Sequence, residues 1–421
     1  MSPIPTAASS LSSRPSLAGL AHDDGEAARV VVLGGGYAGA LAANRLAGRL
    51  GRRARITVIE ERAELVHRVR LHEVLAGGPG KSFPLAALLH REVHHVRARA
   101  TRIDATSRYV ELEGGSREPF DHLVVAVGSR PVGAIPGALS HGGGITSPEA
   151  ALRAHERLVS LGERERVVVI GGGLSGVEVA TEIAERHPRL RVVLLARTVL
   201  PGLSARARAY AERVIAELGI ERREGEAVEI DAGGVVLRGG ARVDAGLVVW
   251  AGGFAPQGPA VASELVRDGS GRLLVDASLQ AVGHERIWVC GDAAAPPPGL
   301  GFARMGCALA MPMGAHAADN VVRALRGESI AAFRFGYAGQ CISLGRKRGL
   351  VQLVTPEDAP RDRFVSGRMA ALVKELISTL VIGALRVERL YAGAYSWPRS
   401  VEARQHTPAL PASRAQVSVG G

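Results

Sequence analysis

The sequence predicts an α/β chain built from two copies of one strand–turn–helix–strand unit, with a smaller C-terminal module of different pattern. Three observations carry this. Residues 29–48, RVVVLGGGYAGALAANRLAG, return at 166–185 as RVVVIGGGLSGVEVATEIAE. Each copy leads into a second apolar strand, RITVIEE at 55–61 and RVVLLAR at 191–197. Beyond about residue 325 the pattern changes to alternation and then to an amphipathic helix.

Each copy opens with the uninterrupted β-branched run of a strand buried on both faces, turns through glycines and enters a helix of small residues. That is the pattern of a Rossmann-like three-layer domain. Further strands are expected at YVELEG (109–114), HLVVAVGS (122–129), AGLVVWAGG (245–253) and RIWVCGD (286–292). Pro-Gly pairs at 136–137 and 201–202 mark turns. FGYAGQCISLGRKRGLVQLV (335–354) alternates like a β-hairpin with Arg346–Gly349 near its turn. RMAALVKELISTLVIGAL (368–385) is helical, with Leu372, Leu376 and Leu380 on one stripe.

The bulk numbers agree. A chain of 421 residues suits two or three domains. Its 47% hydrophobic and 22% charged residues are ordinary for a globular protein, and 53 glycines suit many tight turns. The net charge of +11 is nearly all arginine, the lysines being Lys81, Lys347 and Lys374. The arginines are scattered singly, and no nucleic-acid-binding signature accompanies them, so nucleic acid is not an expected partner. Three cysteines, Cys290, Cys307 and Cys341, lie far apart without metal spacing, which points to a reducing compartment and no metal. Residues 1–28 are rich in Ser, Ala and Pro and lack the pattern of a secretion signal. A disordered tail is expected there, and a flexible one at 398–421. No run of ~18 apolar residues is present to span a membrane.

The glycines carry the first chemistry. In Gly34-x-Gly36-Tyr37-Ala38-Gly39, Gly34 permits the tight turn, Gly36 lets backbone approach a pyrophosphate, and Gly39 lets helix and strand pack closely. The helix N-terminus then faces two phosphate charges. An acid, Glu60, follows at the end of the second strand, placed for the ribose hydroxyls of an adenosine. Glu61 is the alternative, because strand ends are uncertain by a residue. The second fingerprint is Gly171-x-Gly173-x-x-Gly176, with Glu178 just beyond. Its partner strand ends at Ala196 and Arg197, where an acid would hold the NAD ribose and repel a 2′-phosphate. One charge-assisted contact to phosphate contributes ~1.5–3 kcal/mol. Either Arg197 makes that contact and favours NADPH, or it points to solvent and leaves the site unselective.

Two such units, one nested in the other, resemble the flavoproteins with two dinucleotide-binding domains. Within them the chain is similar to the pyridine nucleotide–disulfide oxidoreductases, and most to type II NADH dehydrogenases, over roughly 29–385. FDHLVVAVGSRP (120–131) resembles the strand closing the first domain, with Ala126-Val127-Gly128 for its usual triplet. LVVWAGGFAP (247–256) resembles the matching strand after the second, and RIWVCGDAA (286–294) the second flavin motif. HRVRLHEVLAG (67–77) resembles the Arg and Glu segment beside the first domain.

The resemblance implies FAD in the first domain and NADPH or NADH in the second. It implies Asp292 on the FAD ribitol, Arg68 near the flavin and Ala100 with its backbone at adenine. It also implies Glu178 at the nicotinamide, and Gly252 and Gly253 with their backbone along the dinucleotide. Helix-dipole compensation is the other reading of Glu178. The expected domains are 29–145 with 268–325 for FAD, 146–267 for NAD(P)H, and an interface module at 326–397.

Departures from the family matter. No cysteine precedes Cys290, so a redox cysteine pair in the family position is excluded. Ala308 and Pro312 stand where type II dehydrogenases carry two glutamines at the quinone site. Met305, Met311 and Met313 either line an adaptable pocket there or pack a helix core. The helix at 368–385, with Arg368, Lys374, Arg386 and Arg389 nearby, suits an anionic membrane surface, or equally a sheet or a partner subunit in a homodimer.

The leading expectation is an FAD-dependent NAD(P)H oxidoreductase passing electrons to a small-molecule acceptor. It would be cytoplasmic, or peripheral at the inner face of the membrane. A respiratory NADH:quinone dehydrogenase and a slow redox-state binding protein are the alternatives.

Overall fold

The computed structural model describes residues 27–132, 135–257 and 264–404. The first unit runs β1 (Ala28–Leu33), α1 (Tyr37–Leu50), β2 (Ala54–Ile59), the short α2 (Leu71–Leu75), β3 (Val93–Val96) and β4 (His122–Val125). The second runs β5 (Gly142–Gly144), α3 (Pro148–Ser160), β6 (Arg166–Ile170), α4 (Leu174–Arg186), β7 (Arg191–Leu195), β8 (Glu221–Arg223) and β9 (Leu247–Trp250). The chain then returns with β10 (Gln280–Ala281), β11 (His284–Val289) and α5 (Cys307–Leu325). It ends in β12 (Gly339–Ser343), β13 (Gly349–Val354), β14 (Pro360–Ser366) and α6 (Gly367–Leu390).

The first sheet has the order β10-β11-β4-β1-β2-β3. Its strands are parallel except for the β10–β11 edge. A late strand thus completes an early sheet, and the second unit is inserted between them. The second sheet, β5-β9-β6-β7-β8, is wholly parallel. Val30, Val31, Val32 and Val167, Val168, Val169 are buried, as central strands covered on both faces must be. α1 and α5 cross where a Cβ on Gly314 would lie 2.3 Å from the Ala38 carbonyl oxygen, so the crossing needs glycine. YVELEG forms no part of either parallel sheet. Tyr109–Leu112 pairs instead with Ala100–Asp104 and Arg117–Pro119 in a small antiparallel sheet.

The C-terminal hairpin forms as expected, and β14 adds a third strand. Val401–Glu402 pairs with Arg334–Phe335, so the described part of the expected tail from 398 is held in place. α6 is also helical as expected and packs on the sheet β12–β14, with its leucine stripe turned away from that contact. Leu372, Leu376 and Leu380 are 64%, 57% and 56% exposed, while Ala370, Ser378, Ile382 and Leu385 are buried. The reason is a fully buried ion pair on the inner face. Arg45 Nε lies 2.6 Å from Glu388 Oε1, its Nη1 3.1 Å from Asp319, and its Nη2 donates to the Tyr395 carbonyl at 2.8 Å. Asn44 also donates to the Leu385 carbonyl at 3.2 Å.

Candidate functional site

The glycines of the first fingerprint separate by physical cause. Gly34 has φ +105°, and a Cβ there would lie 2.5 Å from the Ala126 carbonyl oxygen. A Cβ on Gly39 would lie 1.8 Å from the Gly34 carbonyl oxygen. These two are required by the fold itself. A Cβ on Gly36 would meet no protein atom within 4 Å, so its smallness serves something outside the chain. The second unit repeats this arrangement. A Cβ would lie 2.7 Å from the Ala251 oxygen at Gly171 and 1.9 Å from the Gly171 oxygen at Gly176, and would meet nothing at Gly173. Both following helices lack a side-chain cap and an acid in the first turn, so their N–H groups face the open side. Two cradles fit a pyrophosphate each.

Glu60 lies beside the first cradle. Its carboxylate accepts the Gly35 N–H at 2.8 Å and the Arg62 N–H at 3.1 Å, whereas Glu61 is exposed. Its own N–H donates to the Val96 carbonyl, from which the chain runs to Ala100 at the head of the small antiparallel sheet. Tyr37 opens α1 with its hydroxyl 2.9 Å from His67 Nδ1, and Ala38 is buried beneath it. Burial pushes the Tyr37 phenol up and holds His67 neutral down to about 4.

Asp292 follows β11 at the carboxyl end of the first sheet. It accepts the Ser129 hydroxyl at 2.6 Å and the Gly306 N–H at 2.8 Å. Arg68 comes to the same place. Its Nη1 donates to the Ser129 carbonyl at 2.8 Å and its guanidinium lies 5.4 Å from the Phe254 ring centroid. Burial lowers the Arg68 pKa, partly countered by Asp292 and Tyr37. Gly128, at φ +70° with open space beside it, precedes this cluster. The chain therefore brings Tyr37, Arg68, Gly128 and Asp292 together from four segments.

Some expectations change. A Cβ on Gly252 would lie 2.2 Å from the Trp250 ring, so that residue is kept small by its own strand's tryptophan. Gly253, at φ +126°, does face open space. Met311 and Met313 are buried core residues of α5, which favours the helix-packing reading for them, while Met305 is exposed. Cys290 is buried in the core. Burial pushes the Cys307 thiol up to about 11 and raises that of Cys341, so neither is an activated thiolate. Lys374 is no surface cation. It is turned inward onto Glu178.

Glu178, expected beside a nicotinamide, has its partners in the C-terminal module. It pairs with the Lys374 ammonium and accepts the Ser343 N–H at 3.1 Å. Burial opposes its ionisation, but Lys374, His72 and the Ser343 N–H outweigh it and hold the carboxyl below the usual range. Lys374 is raised in turn, Glu178 outweighing its burial. Cys307 and Cys341 lie within electrostatic reach of Lys374, and Cys307 within that of Asp292. Sequence reasoning missed the Lys374–Glu178 pair. Its signal was a second stripe on α6, Ala370, Lys374, Ser378 and Ile382, two residues out of phase with the leucines.

Two parallel-sheet units, each with a dinucleotide cradle, and an acidic flavin motif returning to the first sheet define a nicotinamide-dependent flavoprotein oxidoreductase. The chain belongs to the pyridine nucleotide-disulphide oxidoreductase family, whose profile matches residues 28–319. It is similar to an NADH dehydrogenase-like protein of Mycobacterium tuberculosis, 32% identical over 83% of this chain and 93% of that protein. It is also similar to the type II NADH:quinone oxidoreductase of Staphylococcus epidermidis, 29% identical over 84% and 95%. Its fold matches the sulfide:quinone oxidoreductase structure from Aquifex aeolicus with a TM-score of 0.77 at 20% identity, covering 92% of this chain and 100% of that one. The protein is an FAD-dependent NAD(P)H oxidoreductase of the NADH dehydrogenase-like type.

Proposed function

We propose that the chain oxidises NAD(P)H and passes the electrons to a quinone-type acceptor drawn from a membrane surface. The observation that carries this is the two-faced α6. One face sends Lys374 inward to Glu178. The other presents Met369, Leu372, Leu376, Leu380, Leu390 and Tyr391, all more than half exposed, along a helix of 24 residues. Soluble monomers rarely leave such a stripe uncovered, and an interfacial helix beds it in lipid. No described helix is long and apolar enough to cross a membrane. The acceptor named for the Staphylococcus epidermidis relative is also a quinone.

The first cradle with Glu60, Arg68 and Asp292 would hold FAD, and the second would hold the nicotinamide dinucleotide. When bound, FAD supplies hydride acceptance and onward electron transfer. Tyr37 and α1 present N–H groups to the pyrophosphate, and Arg68 supplies a half-buried cation. At the acceptor, Pro312 replaces lost glutamine chemistry with backbone chemistry. Proline has no N–H, so the Ala308 carbonyl one turn earlier loses its helical partner and can accept from a hydroquinone hydroxyl. Ala308 is exposed.

Nucleotide choice follows from the end of β7. Arg197 is exposed there with no acid beside it in the strand end. Glu226, close enough for Arg197 to lower its pKa, is already held by Arg238 at 3.0 and 2.7 Å. This supports an Arg197 available to a 2′-phosphate and a preference for NADPH.

The reading is tested with vesicles containing an embedded quinone. Wild type should float with them and turn over. Leu372→Asp/Leu376→Asp should stay in solution and lose turnover with embedded quinone, while keeping it with ferricyanide. A wild type that ignores vesicles and sediments as a dimer would assign the stripe to a second copy and overturn the membrane reading.

A further inference from the structure

The two copies of the duplicated unit resolve one polar contact differently. In the first unit Arg29 of β1 stands beside Arg55 at the head of β2. Asp121, just before β4, neutralises that charge. Its carboxylate accepts the Arg29 backbone N–H at 2.7 Å, Nε at 3.2 Å and Nη2 at 2.9 Å. The same strand heads recur in the second unit, where Arg166 of β6 stands beside Arg191 of β7. The Asp121 N–H donates to the Arg29 carbonyl at 2.8 Å, and the Gly246 N–H donates to the Arg166 carbonyl at 2.9 Å. Gly246 is therefore the counterpart of Asp121, and the second copy keeps the arginine pair without the carboxylate. Like charges on neighbouring strands, about 5 Å apart, repel.

Two further arginines join them. Arg157 from α3 and Arg164 from the loop before β6 line, with Arg166 and Arg191, a groove of about 410 Å³. Backbone carbonyls fix two of the guanidiniums. Arg157 Nε donates to Gly246 at 3.0 Å, and Arg166 Nη1 donates to Asp244 at 3.0 Å, which leaves their other N–H groups unspent. Arg164 has φ +62°, uncommon for a residue with a side chain, and its N–H is tied to the Arg189 carbonyl at 2.8 Å. Two carboxylates border the groove. Asp244 is engaged by Arg242 at 2.8 Å, and Glu165 lies beside Gly246. No described carboxylate comes within 4.0 Å of the four guanidiniums. Elsewhere in this unit arginines are paired, Arg238 with Glu226 at 2.7 Å and Arg242 with Asp231 at 2.6 Å.

We propose that this groove binds a diphosphate, which supplies from outside the negative charge that Asp121 supplies in the first unit. Guanidinium forks match phosphate oxygens in bidentate pairs. The groove holds no aromatic ring and no long apolar side chain, so it selects the anion rather than a base or an acyl chain. It is separate from the nucleotide cradle. Its arginines stand at the amino ends of β6 and β7, whereas Gly171 and Arg197 follow the carboxyl ends. A strand of five residues sets the two sites about 17 Å apart.

Isothermal titration calorimetry of the FAD-loaded protein tests this. The second cradle is first saturated with NADP+ or NAD+, so that pyrophosphate cannot enter it. Inorganic pyrophosphate should then bind with one equivalent per chain. Arg164→Gln/Arg191→Gln should weaken it roughly a hundred-fold, about ten-fold for each charged contact, while leaving ferricyanide reduction by NADPH unchanged. Gly246→Asp rebuilds the carboxylate of the first unit and should abolish binding. The atoms nearest its Cβ are the flexible ends of Leu161 and Glu165, which can move aside. ADP should bind no more tightly than pyrophosphate. Binding that is equal in wild type and both variants, or heats that never saturate, would overturn the proposal. A strong preference for ADP would overturn the assignment to the bare anion.

Discussion

At the scale of single residues, two glycines three positions apart make opposite predictions. Gly39 is fixed by contact, since a Cβ there would lie 1.8 Å from a carbonyl oxygen. Gly39→Ala should cost about 1–3 kcal/mol or more of stability in urea unfolding. Gly36 touches nothing. Gly36→Val should leave the apoprotein's thermal midpoint unchanged and strip flavin from the purified protein. Arg197→Glu should move the NADPH/NADH ratio of kcat/KM toward NADH by roughly ten-fold or more, the value of one charged contact. An unmoved ratio would assign Arg197 to solvent. Two histidines set an acid limit. Burial holds His67 and His316 neutral, each down to about 4, while unfolded histidine titrates near 6.5. The unfolded chain thus takes two protons that the folded chain refuses. Their contribution is whole above about pH 6.5 and is lost as pH falls toward 4, with a combined slope approaching ~2.7 kcal/mol per unit. His67→Gln and His316→Gln should each remove about half of that slope. The fingerprint residues were legible because their spacing is local. Lys374 was not, because it takes its meaning from Glu178 on a distant segment.

At the scale of elements, the strands and the hairpin were legible from alternation and β-branched runs, and α6 from its period. Which side of α6 faces inward was not. Both stripes lie in the sequence, and hydrophobicity alone favours burying the leucines. The decision rests on Arg45, which sits in a helix more than three hundred residues earlier and reaches Glu388 from within the core. Removing one partner of a buried ion pair leaves an uncompensated charge, so Glu388→Ala should cost about 3–5 kcal/mol. Denaturant unfolding monitored at Trp288 and Trp397 would measure it. A loss below about 1 kcal/mol would mean that α6 is oriented by something else.

At the scale of the whole molecule, the duplication revealed two nucleotide units before any coordinates, and the return of β10 and β11 to the first sheet accounts for the nesting. The charged contacts between the units were hidden. Glu178 sits in the second unit, His72 in an excursion of the first, and Lys374 in the C-terminal module, and only the assembled chain puts their charges together. The central claim is that this assembly couples nicotinamide oxidation to quinone reduction. The most direct measurement is an anaerobic titration of the FAD-loaded protein with NADPH or NADH, followed by menadione, with both products quantified. The account predicts that the flavin absorbance bleaches with the nucleotide and returns with menadione, one hydroquinone forming for each nucleotide oxidised. Flavin that bleaches and then stays bleached under menadione, yet returns with oxygen or ferricyanide, would contradict it.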